Sequence, residues 1–108
     1  MEKIQIFKIF EEKEEYWNPI EIAKIEDVAV RVAKIQGEFP FHTHTEGDEL
    51  FIVLKGEIFI DTEERTYNLK EGEGILVKKG IRHRSRANIP SIIMLVEPKR
   101  LVTKPKID

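Results

Sequence analysis

Apolar and polar residues alternate with a period of two along most of this chain. Successive side chains of a β-strand point to opposite faces, so this period predicts strands that bury one face. The groups that show it are Ile4/Ile6, Ile20/Ile22, Val28/Val30/Val32 and Phe51/Val53. We therefore expect an all-β protein.

Residues typical of turns divide the chain into many short strands. Gly, Pro, Asn and Asp interrupt the alternation at short intervals from Asn18-Pro19 to Asn88-Ile89-Pro90. Many short strands at close spacing are typical of a sandwich or a barrel. Because no repeat or low-complexity tract separates them, we predict one domain over residues 1–108.

Two segments depart from the alternation. Glu11 to Tyr16 is the best helix candidate, although a charged loop in contact with solvent fits the same residues. The tail from Pro98 to Asp108 is expected to be an exposed terminus or one that pairs with a sheet edge. Neither segment suggests a function.

Composition restricts the function more than the fold. The 108 residues carry 18 Lys and Arg against 20 Asp and Glu, a balance that argues against a nucleic-acid surface. The longest apolar runs are five residues, far below the roughly 20 that span a bilayer, and no apolar leader follows Met1. We expect a cytoplasmic protein with no membrane partner.

The chain is rich in Lys, Glu and Ile and has few Met and no Cys. This bias is typical of proteins from hot environments.

The histidines lie in two short segments, and two of them are separated by one residue. His42 and His44 share a face if Phe39 to Thr45 is extended, and Glu49 follows after a segment able to turn. Glu49 has the parity of Phe51 and Val53, so its carboxylate would lie at one end of an apolar stripe. Such a carboxylate is costly to bury without a partner, and a cation or a histidine would supply one.

His83 follows the turn at Lys78-Lys79-Gly80 and could complete the group. Three imidazoles and one carboxylate suit Mn, Fe, Co, Ni, Cu or Zn rather than Ca or Mg, and leave one or two coordination positions open. With no cysteine, only His and carboxylate ligands are available for such an ion. The alternative is a polar cluster or an empty pocket without metal, with His83 in a structural role.

The spacing of these residues resembles two sequence motifs of the cupin superfamily. Its first motif is Gly, five residues, His-x-His, three or four residues, Glu, six residues, Gly. Here it is found as Gly37, four residues, His42-Thr43-His44, four residues, Glu49, six residues, Gly56. The first gap is one residue short.

The second motif of the superfamily is Gly, five residues, Pro-x-Gly, two residues, His, three residues, Asn. The chain has Gly72, then Lys78-Lys79-Gly80, then His83 and finally Ala87 at these spacings. Lys78 and Ala87 replace the proline and the asparagine, neither of which binds metal in the family. With motifs at about 37–56 and 72–88, the chain resembles a small single-domain bacterial or archaeal cupin. The resemblance implies a jelly-roll barrel with a divalent metal on His42, His44, Glu49 and His83.

The resemblance leaves the reaction open, since one scaffold hosts many functions. It favours a metal-dependent enzyme that isomerises or dioxygenates a small sugar-derived, acidic or phenolic molecule. The alternative is a non-catalytic module that binds a small ligand, with a structural metal or none. A metal-free epimerase would need a His/Tyr/Asp acid-base set, which the chain lacks in these motifs. No catalytic side chain beyond the ligands is predicted.

Small cupins commonly pair through an edge strand or an exchanged N-terminal segment. The apolar segment from Ile4 to Phe10 suits that role, because an uncovered apolar edge favours aggregation. We therefore expect a homodimer.

Strand parity also divides the neighbours of the predicted ligands between two faces. The residues expected to line the pocket are Phe51, Val53, Phe59 and Ser85. The alternating arginines Arg82, Arg84 and Arg86 should lie on the outer face, either paired with acids or forming a docking surface for a subunit or an anion. Phe41 should face away from the metal, and Tyr16, Trp17 and Phe39 are expected in the core or an interface rather than beside a substrate.

Overall fold

The computed structural model describes residues 1–11 and 15–101 and the backbone of residues 106–107. The described part contains one short helix, α1 (Ile6–Ile9), followed by strands only. The strands are β1 (Ile20–Ile25), β2 (Val28–Glu38), β3 (His42–Thr43), β4 (Glu49–Lys55), β5 (Glu57–Thr62), β6 (Thr66–Lys70), β7 (Gly74–Val77), β8 (His83–Pro98) and β9 (Lys106–Ile107). The predicted all-β class is confirmed.

The long strand β8 connects the two halves of a jelly-roll barrel. Its first part pairs with β5 and with β3, where His42 lies opposite His83. Its second part lies between β4 and β2, with Val96 opposite both Leu50 and Val30. The sheet then extends from β4 to β7, from β5 to β6 and from β2 to β1. All these pairs are antiparallel.

The interior of the barrel is filled by the apolar face of these strands. Ile35, Val53, Ile58 and Ile60 are at most 1% exposed, and each such burial contributes about 1.5–3 kcal/mol. Residues between them on the same strands face outward, as the period of two predicts. The core fills one end of the barrel, and the histidines lie toward the other.

A tight approach between β8 and the β4–β5 turn requires a glycine. Gly56 has a φ of +90°, and a Cβ there would lie 2.3 Å from the Ser91 hydroxyl oxygen. That hydroxyl accepts a hydrogen bond from the Glu57 amide at 3.1 Å. The glycine that ends the first motif therefore lets two strands pack where a side chain would separate them.

The first residues of the chain differ from the prediction. Ile4 and Ile6 were expected to alternate along a strand, but α1 begins at Ile6, and Ile4 and Phe7 are 43% and 53% exposed. No described strand pairs with this segment, and a helical turn satisfies its own backbone through bonds such as Phe10 N–H to the Phe7 carbonyl at 3.2 Å. Local hydrogen bonding therefore replaces the expected strand.

The two remaining segments lie partly outside the described residues. Residues 12–14 interrupt the predicted helix at Glu11 to Tyr16, and residues 102–105 and 108 belong to the predicted tail. In the described part of that tail, Leu101 is 3% exposed and β9 pairs with β3, in agreement with edge pairing. No helix among the described residues is long and apolar enough to cross a membrane.

Candidate metal centre

The four side chains predicted as metal ligands come together at one end of the barrel. His42 begins β3, His83 begins β8 directly opposite it, and Glu49 begins β4. His44 follows β3 after the two-residue step that keeps it on the same face as His42. One possible donor atom of each residue lies within 4.8 Å of those of the other three. The register of three strands thus brings together side chains that are up to 41 positions apart in sequence, from His42 to His83.

The cluster is tightly spaced and mostly buried. Glu49 Oε1 lies 3.5 Å from His44 Nε2 and 3.6 Å from His83 Nε2. The rings of His42 and His83 are 4.4 Å apart between centroids. His42, Glu49 and His83 are 4%, 6% and 1% exposed, and His44 is half-buried. Glu49 Oε1 and His83 Nε2 are therefore inaccessible to water.

Backbone carbonyls fix the tautomer of two imidazoles. The Nδ1 atoms of His42 and His83 lie 2.9 Å from the carbonyl oxygens of Pro40 and Ile81, two residues earlier in each case. A carbonyl only accepts, so Nδ1–H donates in both rings. In the neutral ring Nε2 then carries the free lone pair, which is the arrangement found in metal-binding histidines.

Two buried atoms in the cluster have no hydrogen-bond partner among the described residues. They are Glu49 Oε1 and His83 Nε2, which face each other at a distance beyond normal hydrogen bonding. A buried polar atom without a partner costs about 1–3 kcal/mol, and more if charged. A divalent transition metal would satisfy both atoms and accept the two remaining imidazoles, so the residues present fit such an ion.

The electrostatics of the cluster also favour a cation over protons. Burial lowers the pKa of His42 to about 4, and burial lowers the pKa of His44 as well. For Glu49, burial opposes ionisation, but interactions with His83, Glu97 and His44 outweigh it and lower the pKa to about 2. Near neutral pH the rings of His42 and His44 are thus neutral, and the carboxylate of Glu49 is ionised.

A second buried carboxyl group lies beside Glu49. Glu97 on β8 is 7% exposed and accepts a hydrogen bond from the Arg31 guanidinium at 2.6 Å. Burial and the adjacent Glu49 raise the pKa of Glu97 to about 8. Glu97 was not among the predicted site residues. Its parity with Ile93 and Leu95 could have indicated it, because that parity places an acid on an apolar face of the strand.

A cavity opens beside the cluster. Its polar side chains are His42, His44, Glu49, Ser85 and Glu97. Its apolar side chains include Ala33, Ile35, Phe51, Ile93 and Leu95, which form the end of the barrel core. Of the residues predicted to line the pocket, Phe51 and Ser85 lie in this wall.

The other two predicted pocket residues lie elsewhere. Val53 is fully buried, two residues farther from the cluster along β4 than Phe51, and the core covers it. Phe59 pairs with Arg86 across β5 and β8, and that register turns its ring to the outer face, 4.5 Å from the guanidinium carbon. The register of β5 could not be read from the alternation alone.

Two aromatic residues expected in the core or an interface line the cavity wall, and Trp17 also packs against the barrel core. Trp17 and Phe39 pack against each other, with ring centroids 5.4 Å apart, and Pro19 lies beside them in the wall. Trp17 reaches this position through a left-handed backbone conformation with a φ of +62°. No periodic pattern in the sequence predicts such a conformation.

The arginine-rich face follows the prediction of outward residues paired with acids. Arg84 and Arg86 both donate to Asp61, at 2.8 and 2.7 Å, and Arg86 is the main cause of the lowered pKa of that carboxyl. Arg82 and Arg84 lie over the ring of Phe41, which faces away from the metal cluster as predicted. These contacts hold the outer face together and leave the arginines outside the cavity.

Comparison with known proteins identifies related chains. The family described as "Cupin domain" matches residues 29–96. The uncharacterized protein YdbB of Bacillus subtilis is 39% identical over 94 residues, which cover 86% of this chain and 82% of the relative.

Solved structures agree with the sequence comparison. A protein from Shewanella frigidimarina that contains a cupin-2 domain superposes with a TM-score of 0.85 at 33% identity, covering 88% of this chain and 93% of its own. Protein NMB1881 from Neisseria meningitidis gives a TM-score of 0.81 at 26% identity, covering 90% and 99%. The similarity therefore extends over nearly the whole chain.

Proposed function

This chain belongs to the cupin domain family, and we propose that it binds one divalent transition metal on His42, His44, Glu49 and His83 and acts on a small organic molecule. The pair of buried atoms without a partner, Glu49 Oε1 and His83 Nε2, is the main support for the metal. The ion would be Mn, Fe, Co, Ni, Cu or Zn, the metals that suit imidazole and carboxylate donors.

When bound, the ion supplies a Lewis acid or an oxygen-activating centre with open positions. The Nδ1–H groups of His42 and His83 donate to backbone carbonyls and so orient the Nε2 atoms that would hold the ion. Glu49 contributes the negative charge that offsets the cation. The carboxyl of Glu97 lies in the cavity wall and is paired with Arg31, so it adds a polar group beside the cluster. The reaction that we propose is isomerisation or dioxygenation of a sugar-derived, acidic or phenolic molecule.

A non-catalytic binding module is the second candidate. Outside the ligand cluster, the described cavity wall has polar side chains only at Ser85 and Glu97. Such a wall is sufficient to bind a small molecule, with the metal in a structural role. Turnover assays on the metal-loaded protein would separate the two candidates.

The metal is tested by purifying the untagged protein without added metal and measuring bound metal by mass spectrometry. We expect about one equivalent per chain. The double variant His42→Ala/His44→Ala should lose it, while Thr45→Ala, at an exposed position next to His44, should keep it. Circular dichroism of each variant checks that the fold is intact. A parent protein that is free of metal and cannot be loaded would refute the metal site.

We further propose that residues 1–108 form one domain and that two copies associate as a homodimer. The apolar side chains of the N-terminal segment support this, since Ile4 and Phe7 are largely exposed and no residue of α1 is buried. A second subunit that covered them would remove this apolar surface from water.

A further inference from the structure

Building on the proposed metal function, we propose that the ligand of this protein contains a flat aromatic ring with oxygen substituents. The ring would lie against Trp17 and Phe39 in the cavity wall, and the oxygens would face the histidine and glutamate cluster. Trp17, which packs against the edge of the core, is then also a residue that determines specificity.

Aromatic rings extend continuously from the ligand cluster toward Trp17. The ring of His42 meets Phe39 edge-on, with centroids 5.2 Å apart and an interplanar angle of 81°. Phe39 in turn packs against Trp17 at 5.4 Å and 38°. A flat aromatic ring placed against them makes the offset or edge contacts that aromatic pairs prefer, whereas a puckered aliphatic ring has no π system to make them.

Trp17 is held in place by the backbone of β2. Its amide donates to the Lys34 carbonyl at 2.9 Å, and its indole Nε1–H donates to the Gln36 carbonyl at 3.0 Å. Since these bonds use both of its N–H groups, the indole contributes only its apolar surface to the cavity. A positive φ is unfavourable for so large a side chain and persists only where surrounding contacts enforce it. Here those contacts place the ring in the cavity wall.

The scarcity of polar groups argues against a polyol such as a sugar. Ser85 and Glu97 are the polar side chains that the described wall offers beyond the four predicted ligands. A sugar would bury several hydroxyl groups, and most of them would have no partner, which opposes binding. An aromatic ring with oxygens at one edge needs polar partners at that edge only, where the cluster, Glu97 and Ser85 supply them.

The inference is tested with three probes of similar ring size on the metal-loaded protein. Catechol is flat with two adjacent hydroxyl groups, cyclohexane-1,2-diol has two adjacent hydroxyl groups on a puckered ring, and inositol is a polyol. Phenolic oxygens are the stronger metal donors, so the wall variants below separate ring packing from metal coordination. Binding is measured by calorimetry and by the fluorescence of Trp17, the single tryptophan of the chain. We expect catechol to bind with a change in fluorescence, cyclohexane-1,2-diol to bind about tenfold more weakly, and inositol not to bind. Inositol or cyclohexane-1,2-diol binding as tightly as catechol would overturn the inference.

Variants then assign the effect to the aromatic wall. Trp17→Leu should weaken catechol binding about tenfold, Trp17→Phe should retain most of it, and Tyr16→Leu, at the exposed neighbouring aromatic residue, should leave it unchanged. Phe39→Leu keeps the tryptophan signal and should also weaken binding. It keeps the test decisive if the Trp17→Leu protein does not fold. Unchanged catechol affinity in both folded wall variants would show that the wall does not select the ligand.

Metal content measured on every sample separates this inference from the proposed function. If the metal is present and the probes bind equally, the aromatic inference fails while the metal site stands. If no metal can be loaded, phenol and cyclohexanol are compared on the metal-free protein. Preference for phenol there supports the wall alone, and equal binding overturns it.

Discussion

At His42 and His83, the backbone determines which ring nitrogen is available. Both Nδ1–H groups donate to the backbone carbonyl two residues earlier, so both rings present Nε2 to the cluster. No other side chain is needed to orient them. This local arrangement is the same on β3 and β8, although the two segments are far apart in sequence. It holds the donor atoms in position before a ligand arrives, which lowers the cost of binding a metal.

The buried imidazoles make the stability of the metal-free protein depend on pH. The folded pKa of His42 is about 4, whereas an unfolded histidine titrates near 6.5. Below that upper value the unfolded chain takes up a proton that the folded chain does not, so stability falls with pH until the folded pKa is reached. Between about pH 7 and pH 5 the contribution of His42 to the free energy of unfolding should drop by roughly 2 kcal/mol, while the raised pKa of Glu97 acts in the opposite direction, so the effect is measured against a variant without the ring.

Urea unfolding of chelator-treated protein at these pH values measures the effect. The variant His42→Gln lacks the titrating ring and should lose correspondingly less stability over the same interval, with His44 still contributing in the same direction. Parallel pH profiles for parent and variant would show that His42 is not held neutral by burial.

The sequence predicts the positions of some site residues but not of others. His42, His44 and Glu49 are close in sequence, and parity with one turn brings them together. The parity of Glu97 with Ile93 and Leu95 marked it as well, but its role depends on Arg31 and Glu49, which only the folded sheet brings near. Trp17 could not be anticipated, because its backbone conformation depends on hydrogen bonds to β2.

Among the elements, the strands were predictable where a burial pattern of period two was present. β4 and the second part of β8 alternate clearly, and the structure places them side by side. The register of β5, which turns Phe59 outward, depends on pairing with β8 rather than on its own sequence. α1 has apolar residues at three of its four positions and no partner strand among the described residues, so alternation gave the wrong element there.

Two glycines with the same backbone conformation should respond differently to a methyl group. Gly56 and Gly72 have φ values of +90° and +82°, but a Cβ at Gly56 would clash with Ser91 while the space at Gly72 is open. We expect Gly72→Ala to cost about 1 kcal/mol from backbone strain alone, and Gly56→Ala to cost about 3 kcal/mol because β8 must also shift.

Urea unfolding at a fixed metal content compares the two glycine variants. Their different effects would show that Gly56 is required for the approach of β8 to the β4–β5 turn. Equal losses of stability would mean that the left-handed conformation, and not the packing, explains this glycine.

At the scale of the whole molecule, the proposed homodimer depends on the N-terminal segment. Replacing Ile4 and Phe7 together by glutamate would place two charges on the apolar surface and should give a monomer in sedimentation velocity. Ile89→Glu, at an apolar residue that is equally exposed on β8, is the control and should remain a dimer. Metal content should not change. A parent protein that is already monomeric, or a double variant that stays dimeric, would contradict this role of the segment.

The central claim is that a barrel assembled from distant strands holds one metal on three histidines and one glutamate. The most direct test is a crystal of the untagged protein, measured on both sides of the absorption edge of the metal that mass spectrometry identifies. We predict one anomalous peak per chain, bounded by the Nε2 atoms of His42, His44 and His83 and by Glu49 Oε1. A peak elsewhere, or a cluster whose donor atoms bind only water in crystals soaked with metal, would contradict the claim.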